Sequence, residues 1–181
     1  MGRKAVQILD VDITSLLKQL NAALSEEWLA YYQYWIGARV MEGPMKSEIE
    51  KELLLHANQE LGHAELLVNR IIQLGGDPVP SPVEWLTSSR CAYQSPTDRY
   101  IEAILAQNLT GEQCAIERYK ELADFTQGKD HATYEMATTI LRDELEHEED
   151  IESWMRDIRR MKEHFTMHRA LNVDHQQLVS A

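Results

Sequence analysis

Two short motifs carry the chemistry. Glu60 and His63, and again Glu144 and His147, form Glu-x-x-His. On a helix that spacing turns through about 300° and sets the carboxylate and the imidazole close enough to converge on one metal ion. In a chain so rich in Glu one such match is expected from composition, so either motif alone is a weak signal and the solvated-face reading competes with it. Two further glutamates, Glu27 and Glu112, change the balance. The separations Glu27 to Glu60 and Glu112 to Glu144 are nearly equal, so the two halves of the chain look like repeated helical hairpins. All six residues fall on apolar faces of predicted helices, where an unpaired carboxylate is strongly disfavoured. Two divalent ions compensate four carboxylates charge for charge, and neutral imidazoles add nitrogen donors without adding charge.

The elements that must position these residues are helices. Apolar residues recur at three-to-four spacing through four long segments separated by turn chemistry. The first runs from about Asp12 to Met41, with Leu16, Leu20, Leu24, Tyr31, Tyr34 and Ala38 on one stripe, and stops at Gly43 and Pro44. The second begins at Ser47, which with Glu50 has a capping-box signature, and ends at Gly75 and Gly76; its stripe is Ile49, Leu53, His56, Glu60, His63, Leu67 and Leu74. Residues 77–95, rich in Pro and Ser, read as a long connection. A crossover of that length lets the second and third helices run parallel. The third is expected to start at Ser95 and Pro96 and to end near Gly128, with Ile101, Leu105, Asn108, Glu112, Ala115, Tyr119 and Leu122 inward. The fourth opens at Asp130 and continues past Trp154, with Leu141 or Ile140, then Glu144, His147, Ile151, Met155 and Ile158 inward. The predicted fold is an all-α four-helix bundle over about residues 12–160 of a single domain 1–181, with a tail, 161–181, read as a possible short helix.

Bulk properties narrow the function. A chain of 181 residues buries a proper core, and only 5 Pro and 8 Gly interrupt it. The net charge of −12 argues against general binding to nucleic acid or anionic membranes and suits a protein that attracts cations. No signal-peptide pattern opens the chain and no stretch is long and apolar enough to span a bilayer, so a cytoplasmic location is expected. Two distant cysteines, Cys91 and Cys114, form neither a disulfide framework nor a CxxC zinc motif.

The segments EWLAYYQYWIGAR (Glu27 to Arg39), ELGHAE (Glu60 to Glu65), GEQCAIERYKEL (Gly111 to Leu122) and LRDELEHEEDIE (Leu141 to Glu152) resemble the bacterioferritin and Dps-like branch of the ferritin superfamily over about residues 12–160. The resemblance implies a hollow shell of identical subunits, 12 or 24 in number. Each would oxidise Fe(II) with peroxide or dioxygen at a centre of two Fe ions and store the mineral, protecting against oxidative stress. It places the metal ligands at Glu27, Glu60, His63, Glu112, Glu144 and His147, with Glu60 and Glu144 bridging. A local alignment puts Asn108 where Glu112 is assigned; only Glu112 keeps the charge balance. In bacterioferritins a Met after the second-helix Glu holds haem; Leu61 stands there, so haem is not expected. Cys91 and Cys114 are instead similar to the cysteine pair beside the di-iron site of the Dps-like proteins called thioferritins. That similarity implies a reversible disulfide; the alternative is two unrelated small apolar residues.

Other residues have two readings each. Tyr34 and Tyr119 each follow the lone Glu of their half by seven residues; Tyr34 either hydrogen-bonds a ligand carboxylate and yields an electron, or fills core space. His56, one turn before Glu60, is a further metal ligand or a hydrogen-bonded interior histidine. Arg159, Arg160, Lys162 and Arg169 form a basic cluster that faces solvent, a subunit contact or DNA. Two other functions remain open: a di-iron or di-manganese peroxidase or catalase without storage, since Mn accepts the same donors, and a cage that compacts DNA.

Overall fold

The computed structural model describes the backbone of residues 3–179 and the side chains of residues 4 and 6–167. Six helices follow one another: α1 (Arg3–Gln7), α2 (Ile13–Val40), α3 (Lys46–Gln73), α4 (Pro82–Ser88), α5 (Ile101–Thr126) and α6 (His131–Val179). The four long ones form the bundle, α2 packing on α3 and α5 on α6. Each buries most of the stripe read from its sequence, with Tyr31, Ala115 and Met155 only half-buried. In α6 the alternative at its start resolves to Ile140, which is fully buried while Leu141 only packs against the core margin.

The crossover threads the whole length of α2. Asn21 accepts from Val79 N (2.6 Å) and donates to the Asp77 carbonyl; Glu26 accepts from Arg90 N (3.0 Å); Gln33 accepts from Gln94 N (2.9 Å). At the far end Glu42 N donates to the Arg99 carbonyl and Ile101 N to the Glu42 carbonyl, both at 2.8 Å. Some twenty helical residues at about 1.5 Å each separate those contacts, so the chain is carried from one end of the bundle to the other. α5 therefore runs parallel to α3, as a long crossover requires.

Four local expectations need correction. α5 begins at Ile101, not Ser95, because residues 99–101 are held by the backbone pairing to Glu42, and Asp98 caps Tyr100 N instead. α3 begins at Lys46 behind Met45, which takes a left-handed conformation (φ 58°) with no side-chain cap, so Ser47 lies inside the first turn. The connection contains a helix of its own, α4, whose Trp85 stacks on Trp28 at 5.3 Å. The tail is no separate short helix: α6 continues to Val179, no Gly or Pro following Gly128. In the basic cluster Lys162 pairs with Glu102, Arg159 and Arg160 are exposed, and the side chain of Arg169 lies outside the described residues.

The core is in two parts. One holds Leu16, Leu20, Leu24, Leu67, Ile71 and Leu122; the other Ala38, Met41, Ile49, Leu53, Leu105, Ile151 and Ile158. Between them lies a polar layer. Two buried acids outside that layer are each answered by arginine: Asp130 by Arg70, with two contacts of 2.7 and 2.8 Å, and Glu26 by Arg118, with two of 2.7 Å. The first pair ties the end of α3 to the start of α6; the second ties α2 to α5, with Glu26 also accepting from Arg90 N of the crossover.

Candidate metal centre

Glu27 comes from α2, Glu60 and His63 from α3, Glu112 from α5, and Glu144 and His147 from α6; each is at most 4% exposed. They form two overlapping sets of donors. Glu27, Glu60, His63 and Glu144 bring one atom each to within 4.8 Å of one another, and so do Glu60, Glu112, Glu144 and His147. Glu60 and Glu144 belong to both sets. Asn108 is buried near them, and its Oδ1 accepts from Gln33 Nε2 at 3.3 Å.

The two sets are nearly related by a two-fold exchange of the chain halves. His63 Nδ1 lies 3.4, 3.2 and 3.1 Å from oxygens of Glu27, Glu60 and Glu144. His147 Nδ1 lies 3.2, 3.5 and 3.7 Å from oxygens of Glu60, Glu112 and Glu144. A single N–H cannot satisfy three oxygens, whereas one cation among them can. Glu27 Oε2, Glu60 Oε1, Glu112 Oε2, Glu144 Oε1 and His147 Nδ1 are all buried without a hydrogen-bond partner. Buried polar atoms without partners are uncommon in folded proteins and call for a reason. Among the described residues no Lys or Arg forms an ion pair with any of the four glutamates, in contrast to Glu26 and Asp130. The donor set fits a pair of divalent ions.

The remaining atoms of these side chains are held from outside. Tyr34 Oη donates to Glu112 Oε1 and Tyr119 Oη to Glu27 Oε1, each tyrosine reaching across to the lone glutamate of the other half. His63 Nε2 faces Asp143 Oδ2 at 3.3 Å and His147 Nε2 faces Gln59 Oε1 at 3.2 Å. An acceptor there keeps the proton of a neutral imidazole on Nε2 and leaves Nδ1 for a metal. Asp143 and Gln59 are absent from the sequence reading. Their signal is positional, since each immediately precedes a motif glutamate and serves the histidine of the opposite motif.

The electrostatics follow from burial. It pushes the Glu27 and Glu112 carboxyls well above the usual range, and the charges of Glu60 and Glu144 add to the effect. Burial acts the same way on Glu60, but the imidazoles of His147 and His63 beside it outweigh burial and hold that carboxyl low. Burial would lower both histidines; contacts with Glu112, Glu144 and Glu60 instead push His147 up to about 12, and Glu144, Glu27 and Glu60 raise His63 likewise. Without metal the cluster balances its charge with protons.

Beside this layer, Cys91 of the crossover and Cys114 of α5 form a disulfide, with Cα atoms 5.7 Å apart. Cys91, Gln33 and Gly111 line a pocket that reaches Glu27, Glu60, Glu112 and Glu144.

The ferritin-like domain profile matches residues 17–161. The chain belongs to the ferritin-like family. This ferritin-like protein is 37% identical over 150 residues to the DNA protection during starvation protein of Pyrococcus furiosus, covering 81% of this chain and 80% of that one. Its structure matches that of the bacterioferritin-related protein of Bacteroides fragilis, described as a dodecameric thioferritin, with a TM-score of 0.89 and 50% identity over 91% of this chain and 99% of the other. Dps from Thermosynechococcus elongatus, at 15% identity and a TM-score of 0.75 over 78% of this chain and 90% of its own, shares the fold. Among the described residues no helix is long and apolar enough to cross a membrane.

Proposed function

We propose that this ferritin-like protein is a ferroxidase: it binds Fe(II) in pairs at the centre between α2, α3, α5 and α6, oxidises it with peroxide or dioxygen, and stores the ferric product inside a shell of identical subunits, twelve in the preferred reading. The observation that carries this is the sharing of Glu60 and Glu144 by both donor sets, with the other four donors divided between them. With peroxide, two Fe(II) each give up one electron, the O–O bond breaks, and two protons complete two waters. With dioxygen the same two electrons and two protons yield peroxide.

The chain's own part is to hold and to balance. Glu60 and Glu144 keep the two ions adjacent, and His63 and His147 each present Nδ1 to one of them. Tyr34 and Tyr119 fix the free oxygens of Glu112 and Glu27. The protons resident on the metal-free cluster leave as Fe(II) enters, so the buried layer stays near neutral throughout. Manganese suits the same donors; metal analysis of protein purified without added metal decides between them. Leu61 supplies no haem ligand, and none is assigned. Cys91, bonded to Cys114, lines the pocket that reaches the centre, which supports a thiol pair within reach of the oxidant used there. The net charge of −12 favours cation traffic over DNA compaction.

Stopped-flow oxidation of two Fe(II) per subunit tests this. Glu60→Ala and Glu144→Ala are each expected to abolish the rapid phase, and unchanged kinetics in either would contradict the assignment. Particle sizing tests the shell.

A further inference from the structure

His56 is buried (2% exposed) yet poorly satisfied. Its Nδ1 has no hydrogen-bond partner. Its Nε2 stands 3.5 Å from Asp150 Oδ2, long for a hydrogen bond. The Asp150 side chain is 46% exposed, so this imidazole joins a carboxylate at the surface to the interior. Inward, the His56 ring stacks on His147, with centroids 4.1 Å apart and planes at 19°. Trp154 stacks on His56 at 5.5 Å and Tyr34 meets it edge-on at 5.4 Å, so the ring is held in place by aromatic neighbours. The pair sits one turn from the centre along both helices, His56 four residues before Glu60 on α3 and Asp150 three after His147 on α6. Glu52, Glu146 and Glu149, all exposed, add negative charge around Asp150.

We propose that His56 Nε2 and Asp150 form a third divalent-cation site, outside the paired one, through which Fe(II) passes between the surface and the centre. The inference rests on the paired-metal reading above. Two donors bound to one ion at about 2.1 Å each lie about 3.0–3.5 Å apart, which matches the separation observed. One nitrogen and one carboxylate leave most of the coordination shell to water, so the site holds an ion weakly and exchanges it quickly. The outer acidic residues draw cations to Asp150. His56 then takes the ion into the interior, and Glu60 and His147 lie within one helical turn to receive it.

The test uses the assembled full-length protein and Co(II) as a redox-inert probe, with no turnover required. Equilibrium dialysis counts ions per subunit, and stopped-flow absorbance follows loading of the centre. The parent is expected to hold two ions tightly and a further one weakly. Asp150→Asn and His56→Phe should keep the tight pair, lose the weak ion and load about tenfold more slowly. Glu52→Gln removes the same charge nearby without removing a donor and should stay within about twofold of the parent. Parental loading rates in both Asp150→Asn and His56→Phe would overturn the proposal. So would equal slowing by Glu52→Gln, which would mean a charge field without a site, or loss of the weak ion with loading unchanged, which would remove the transit role. A parent that binds no tight pair would fail the paired-metal reading itself, a separate and recognisable result.

Discussion

Replacing either bracing tyrosine by phenylalanine should weaken one metal ion and spare the other. The ring stays and only the hydroxyl is lost, so no cavity forms. Tyr119 donates to Glu27, which belongs only to the set with His63; Tyr34 donates to Glu112, which belongs only to the set with His147. Without metal, burial keeps both carboxyls protonated, and the lost bond is one between neutral groups worth about 0.5–1.5 kcal/mol. With metal the carboxylate is charged, and the same bond is worth about 1.5–3 kcal/mol. The difference, about 1–1.5 kcal/mol, is loss of metal affinity, or about tenfold. Anaerobic Co(II) titration calorimetry should resolve it: Tyr119→Phe shifts one of two binding steps by about tenfold, Tyr34→Phe shifts the other, and the double variant shifts both. Equal weakening of both steps by a single variant, or no change in either, would refute the assignment of one tyrosine to one ion.

Three further outcomes follow from the same structure. Metal loading should release protons, because Glu27, Glu112, His63 and His147 all hold them in the metal-free cluster; up to about four per pair of ions are expected near neutral pH, with affinity falling as pH falls, and an unbuffered titration without acid release would contradict this. Asp130→Ala should cost about 3–5 kcal/mol in urea unfolding by stranding buried Arg70. Burial would raise the Asp130 carboxyl, but Arg70 and Thr133 hold it below its ordinary value; its contribution is therefore complete above that value and lost as pH falls through the depressed one, and a variant whose deficit against the parent did not shrink in acid would contradict this. Cys91→Ser should cost about 3 kcal/mol under oxidising conditions, given the 23-residue separation it spans, and nothing once the parent is reduced.

The site was more legible in the sequence than the ends of the helices that carry it. Six donors could be chosen because burying carboxylates without cationic partners needs a reason, and that constraint reaches across four helices at once. The same constraint favours Glu112 over Asn108, which carries no charge and whose oxygen accepts from Gln33. Helix starts obey weaker rules. Ser47 and Ser95 both carry capping chemistry, yet Met45 and the pairing of Glu42 with residues 99–101 decide where α3 and α5 begin, and such tertiary contacts leave no local trace. Glu26 defeats a simple inward-acid rule, being buried but answered by Arg118, 92 residues away. Gln59 and Asp143 were missed because an outer hydrogen-bond partner has no periodicity of its own; the pseudo-symmetry of the motifs was the available clue.

Anomalous diffraction at the iron edge, from crystals loaded anaerobically with Fe(II), tests the central claim most directly. Two peaks about 3.5–4 Å apart are expected. One should lie among Glu27, Glu60, His63 and Glu144, the other among Glu60, Glu112, Glu144 and His147, with Glu60 and Glu144 touching both. Iron bound only at the surface, with no peak between the four helices at saturating Fe(II), would contradict it.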